Sequence, residues 1–157
     1  MTGRFTAILC AGVATLALAA MAEAETASAP TPAQVVKARQ ASLDMSAVTF
    51  GAIKQALDGG VDVSKLGFQA HALSLWAAAL PTMFPAGTGQ GQTASETKAK
   101  PEVWSNRTGF EARAADYAAA TAKLADLSKA GDTPGFTAQL ALVKKTCDAC
   151  HSDFKER

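Results

Sequence analysis

Cys147-Asp148-Ala149-Cys150-His151, close to the C-terminus, carries the most specific chemistry in this chain. C-x-x-C-H is the attachment pattern of c-type haem, in which two thiols form thioethers to the porphyrin vinyl groups and the adjacent imidazole binds iron. Residues three and four apart share a helix face, so both sulfurs and the imidazole can meet one edge and one face of a macrocycle. A C-x-x-C also serves zinc sites and redox dithiols. Zinc needs more ligands than this chain offers: with Cys10 assigned to a leader, only His71 and carboxylates remain, and there is no second C-x-x-C or H-x-x-H. A redox dithiol normally follows a strand, and no strand pattern precedes Cys147. One covalent haem c is therefore the expected cofactor, with Cys147 and Cys150 attached and His151 on the metal. So little chain follows the motif that any second ligand and most of the pocket must come from upstream.

Four helices supply that upstream frame. Thr31-Pro32 is a helix start, with Thr as N-cap and Pro at the first helical position, and Asp58-Gly59-Gly60 is a stop. Between them Val36, Leu43, Ala47, Phe50 and Leu57 recur at helical spacing. Arg39 lies on the same stripe, where a charge needs an anionic partner or an exit to water; a haem propionate would serve. A second helix is expected from Ser64 to Leu80, with Leu66, Leu73, Trp76 and Leu80 inward and Pro81 ending it. Residues 81–101, rich in Gly, Ser, Thr and Gln, read as a loop long enough to suggest a task. A third helix is expected over 101–130, irregular near Trp104 and stopped by Gly131. The fourth begins at Asp132 or Thr133, and its seam of Phe136, Leu140, Val143, Cys147, Cys150 and Phe154 puts both cysteines at core positions. The expected fold is all-α: an antiparallel up-down four-helix bundle enclosing a covalently attached haem.

The N-terminus reads as a secretory signal. Arg4 precedes an apolar run from Ile8 to Met21, and Ala22-Glu23-Ala24 fits a cleavage site, giving a signal peptide over 1–24 and one bundle domain over 25–157. The run is short for a membrane span. The expected location is the periplasm, with no membrane attachment in the mature form. A formal net charge of +1 gives no reason to expect nucleic acid as a partner. Abundant Ala and few aromatics suit closely packed helices.

Several segments together resemble the cytochrome c′ family, the class II c-type cytochromes. Val36-Lys37-Ala38-Arg39-Gln40-Ala41 is similar to the family's first helix, where an Arg-Gln pair lies beside the haem. Phe84-Pro85-Ala86-Gly87-Thr88 resembles its loop after helix two, and Thr97-Lys98-Ala99-Lys100-Pro101-Glu102-Val103-Trp104-Ser105 its most recognisable internal stretch. Cys147 to Lys155 supplies the haem motif followed by an aromatic and a base. The resemblance implies a five-coordinate, high-spin haem with His151 as its only protein ligand. Leu43, four residues after Arg39, would close the sixth side with a hydrocarbon branch that cannot ligate iron and offers no hydrogen bond to dioxygen. NO and CO could displace it. Arg39, Gln40, Phe84, Thr97 and Lys98 would neighbour the haem, as would Lys155, which stands where the family has Arg and would keep the charge but lose the planar fork. A homodimer through helices one and two is also implied, and Ala38, Ala41, Met45, Val48 and Ala52 give helix one an apolar second face.

The rival is a low-spin electron carrier with methionine as sixth ligand. Met45 is two residues beyond Leu43, about 200° around the helix, so it faces away if Leu43 faces inward; Met83 in the loop is a weaker candidate. His71 reads as an ordinary surface or half-buried histidine, and Trp76 and Trp104 as packing residues, the latter close to the haem along with Phe84. Glu111-Arg113-Asp116 and Lys123-Asp126-Lys129 read as a solvated face. Binding of NO and CO is the first expectation, electron exchange with a periplasmic redox partner the second. Enzymatic turnover is not expected, because Leu43, Ser46 and Phe50 present no positioned acid or base.

Overall fold

The computed structural model describes residues 28–157; the leader and its cleavage site after Ala24 lie outside them. Helix α1 (Pro32–Asp58) begins in a reciprocal cap: Thr31 Oγ1 accepts from the Gln34 amide at 3.3 Å, and Gln34 Oε1 accepts from the Thr31 amide at 2.7 Å. After α1 the chain turns through Gly60, whose φ of +74° suits glycine.

The second helix departs from its expected start. Val63–Leu66 is a 3₁₀ turn capped by Asp62, whose carboxylate accepts from the Ser64 amide, and α2 proper spans Gly67–Ala79. The α-helix ends directly before Pro81 as expected, with Leu80 as its C-cap, but Pro81 does not end the helical path. It sits in the first turn of a second 3₁₀ segment, Leu80–Met83, where a missing N–H costs nothing. Leu66, Leu73 and Leu80 are buried as expected, whereas Trp76 is half-buried.

The third expected helix is broken. A single turn, α3 (Glu102–Ser105), stops at Asn106, which leaves helical geometry (φ −116°, ψ 56°) and caps the next helix by accepting from the Gly109 amide. That helix, α4 (Arg107–Ala130), closes on Gly131 in the left-handed conformation. Asp132 then caps α5 (Thr133–Phe154), accepting from the Gly135 amide, with Pro134 in its first turn.

The four long helices α1, α2, α4 and α5 form the all-α bundle. Ile53, Leu73, Phe110, Leu124, Phe136 and Val143 are buried in its core. Helix α4 packs along both α2 and α5, but α1 leans on α2 and stands away from α4 and α5. The gap this leaves is walled on its remaining side by residues 84–101.

Candidate functional site

A cavity of about 730 Å³ fills that gap. From α1 come Arg39, Gln40, Leu43, Ser46, Ala47 and Phe50; from α4, Phe110, Arg113 and Tyr117; from α5, Cys147, Cys150 and His151. Phe84, Thr97, Lys98 and Lys155 complete it. All ten residues singled out in the sequence thus line one cavity, with Leu43 and His151 on walls contributed by different helices. Ala47 lines it too, though its side chain is exposed rather than packed in the apolar stripe.

The cysteines are half-buried and not joined in a disulfide. Burial, then the neighbouring Asp148, raises the Cys147 thiol; burial, then Cys147, pushes Cys150 up to about 11. A redox or zinc-binding pair wants the opposite shift, toward thiolate. His151 is lowered, first by burial and then by Lys155, so its imidazole is neutral at neutral pH with a lone pair available.

Arg39 is buried in the wall of the cavity. It is 1 % exposed and has no carboxylate partner among the described residues. Its guanidinium donates instead to neutral acceptors: the Met83 carbonyl (3.3 Å), Thr88 Oγ1 (3.0 Å), the Thr88 carbonyl (3.0 Å) and Thr97 Oγ1 (3.0 Å). The Phe84 ring lies 4.3 Å beneath it. Desolvation lowers its pKa, and its charge has no counter-ion among the described residues. Gln40 Nε2 donates to the Glu96 carbonyl at 2.9 Å. The same loop is stitched to the end of α5: the Lys100 amide donates to the Phe154 carbonyl and the Glu156 amide to the Lys98 carbonyl, pairing Ala99 with Lys155 in an isolated antiparallel bridge.

Arg113 is more than part of a solvated face, since its Nε donates to Asp153 Oδ2 at 2.9 Å and joins α4 to α5 beside the cavity. A second, shallower cleft of about 440 Å³ runs over this ion pair, with Glu102 and Asp116 on its walls. Met45 is 63 % exposed, Met83 is half-buried, and neither lines the cavity. His71 is exposed on α2, away from it. Trp104 stands behind the wall: its indole N–H donates to the Pro85 carbonyl at 3.0 Å, and its ring lies 6.4 Å from that of Phe84.

Thr88 and Tyr117 went unread in the sequence. Thr88 falls within the loop segment quoted for the resemblance, but nothing in its spacing marks it as the receptor for Arg39. Tyr117 lies within the expected helix 101–130 with nothing in its spacing to mark it; its hydroxyl meets Ser46 Oγ at 2.9 Å across 71 positions of chain.

The residues present fit a haem c. Its apolar surface suits Leu43, Phe50, Phe84 and Phe110, its carboxylates suit an unpaired guanidinium, and two neutral thiols beside a neutral imidazole suit attachment and ligation. A family model described as cytochrome c′ matches residues 34–155. Cytochrome c′ from Rubrivivax gelatinosus is 34% identical over 128 residues, covering 80% of this chain and 97% of that protein. Its crystal structure is similar to this one with a TM-score of 0.73 at 30% identity, over 82% of this chain and 100% of that chain. A ferrous variant of cytochrome c′ from Alcaligenes xylosoxidans with bound NO is also similar, with a TM-score of 0.73 at 26% identity over 83% of this chain and 99% of that one.

Proposed function

The chain belongs to the cytochrome c′ family, whose members carry one covalently attached haem c, and from that premise we propose a periplasmic haem protein that binds NO and CO. Haem c supplies an iron that exchanges one electron and takes up diatomic ligands. Cys147 and Cys150 would hold it by thioethers, and His151, with its imidazole neutral, would bind the iron. Leu43, on a different wall of the cavity from His151, would keep water away with hydrocarbon while yielding to a small ligand. Arg39 lines the cavity with no counter-ion among the described residues, and its charge would attract a carboxylate of the group. The supporting observation is that Leu43 and His151 line one cavity from different helices while Met45 points outward at 63 % exposure. The NO-bound relative from Alcaligenes xylosoxidans lends the ligand class.

Electron exchange with a periplasmic redox partner is a second role for the same site, favoured by the exposure of Lys98 and Lys155 at the cavity. Binding and electron exchange, rather than catalysis, are the functions proposed. No helix among the described residues is long and apolar enough to cross a membrane. Met45 and Val48 on α1, with Phe68 and Leu75 on α2, are exposed large apolar residues and support a homodimer through these helices.

Absorption spectra of the oxidised and reduced protein, before and after adding CO or NO, test this reading. A five-coordinate, high-spin spectrum that changes on gas addition is expected. A six-coordinate, methionine-type spectrum in the reduced protein before any gas is added overturns it, and so does a colourless product from a host able to mature c-type cytochromes.

A further inference from the structure

Ser46 and Tyr117 form the one hydrogen bond between α1 and either α4 or α5 among the described residues, and both line the cavity. We propose that this hydroxyl pair is a hydrogen-bond donor site inside the cavity, serving the oxygen end of a bound diatomic ligand. The proposal rests on the gas-binding reading above and adds a polar determinant to a wall that Leu43 alone would make purely apolar.

Each hydroxyl carries one O–H and can accept as well as donate. The oxygens are 2.9 Å apart, so one proton lies between them. Neither oxygen has a second hydrogen-bond partner among the described residues. If Ser46 donates to Tyr117, the phenol proton has no acceptor; if Tyr117 donates to Ser46, the serine proton has none.

Local alternatives do not absorb that spare donor. A serine inside a helix can turn back onto the carbonyl four residues earlier. Thr49 does so to Met45 at 2.8 Å, and Thr121 to Tyr117 at 2.9 Å. Ser46 does not. Tyr117 is 7 % exposed and borders the cavity, so the space open to a donor beyond Ser46 is the cavity itself. Burial also holds the phenol in its protonated, donating form.

Position directs the donor toward the ligand side. Ser46 lies three residues after Leu43, on the same face of α1. A ligand that displaces the Leu43 side chain enters space that Ser46 also borders. The other strong donor on this wall, the Arg39 guanidinium, already gives four hydrogen bonds to residues 83–97.

The test is the infrared C–O stretch of the ferrous CO adduct of the mature holoprotein, in H2O and D2O. A hydrogen bond to the ligand oxygen weakens the C–O bond and lowers its frequency. The double variant Ser46→Ala/Tyr117→Phe removes both hydroxyls and keeps the shape of each side chain, leaving no polar orphan. Its stretch is expected to move to higher frequency and lose its D2O sensitivity, while each single variant, keeping one hydroxyl, stays on the wild-type side. An adduct whose stretch is the same in wild type and double variant overturns the proposal and leaves gas binding intact. Failure of the wild type to form a CO adduct overturns both. Should the double variant fail to mature, the wild type decides alone: a stretch indifferent to D2O excludes the donor.

Discussion

Leu43 and Tyr117 act on the same cavity by opposite means, one by bulk and the other by a proton. Leu43 is half-buried, packed against the core and borders the cavity. Leu43→Ala removes the branch a ligand must push aside, so CO affinity is expected to rise by about tenfold or more, the scale of a few methyl groups in an apolar pocket. The stability cost should fall near the low end of about 2–5 kcal/mol, because the side chain is only partly buried. Gas titration and thermal unfolding of the same variant check both numbers; unchanged affinity removes Leu43 from the ligand side. Tyr117 is the only tyrosine in the chain, so alkaline absorbance reports its phenol alone. Burial raises its pKa above the ordinary 10.0 despite the opposing pull of the Ser46 bond. A group whose folded pKa is raised stabilises the fold fully below the unfolded value and loses that contribution as pH rises through the folded one. Stability should therefore fall above about pH 10, with phenolate appearing together with unfolding. Tyr117→Phe should flatten that limb. The Arg39–Leu43 stripe was readable because four residues make a helical turn; the Ser46–Tyr117 contact was not, because the rotation of α1 against α4 is fixed by packing and leaves no mark on local spacing.

The segment 84–101 shows how one side chain organises a loop. Its length predicted a task, and its task is to wall the cavity, which it does by gathering two threonines and two carbonyls around the buried fork of Arg39. Arg39→Lys keeps a cation but cannot make four divergent hydrogen bonds. Each buried acceptor left unmet costs about 1–3 kcal/mol, so the variant should lose a few kcal/mol of stability, with amide exchange quickening across 84–101 before it does in α4. Uniform quickening throughout the bundle would instead make Arg39 a general core residue rather than the anchor of this loop. Helix ends were legible to the extent that they carry side-chain or glycine chemistry: Thr31-Pro32, Gly131 and Asp132 each act where read. The break at Asn106 was hidden because Asn caps and Asn in mid-helix look alike in a sequence. Pro81 also acts where read, since α2 ends directly before it; the 3₁₀ segment that follows was hidden because a proline that stops an α-helix is welcome in the first turn of a 3₁₀ one.

At the scale of the molecule, the bundle is three packed helices and a fourth that leans on only one of them. The outer faces of α1 and α2 expose Met45, Val48, Phe68 and Leu75. Paired charge substitutions such as Val48→Lys with Phe68→Lys should turn a dimer into a monomer in sedimentation experiments without altering the haem spectrum, whereas an already monomeric parent excludes this face as an interface. The inner face of α1 has a different dependence. At about 24 cal/mol per Å³, a dry cavity of 730 Å³ would cost on the order of 15 kcal/mol, as much as the whole stability of an ordinary domain at about 5–15 kcal/mol. A chain produced without the cofactor therefore cannot keep this spacing dry: water must enter or α1 must move. Helices α4 and α5, packed along each other, do not share that dependence. Hydrogen exchange on cofactor-free protein should accordingly find α1 and residues 84–101 open while the α2–α4–α5 core retains its protection. Equal protection of α1 with and without the cofactor would mean that α2 and the Ser46–Tyr117 bond suffice to hold it, and that haem is a guest in this bundle rather than part of its core.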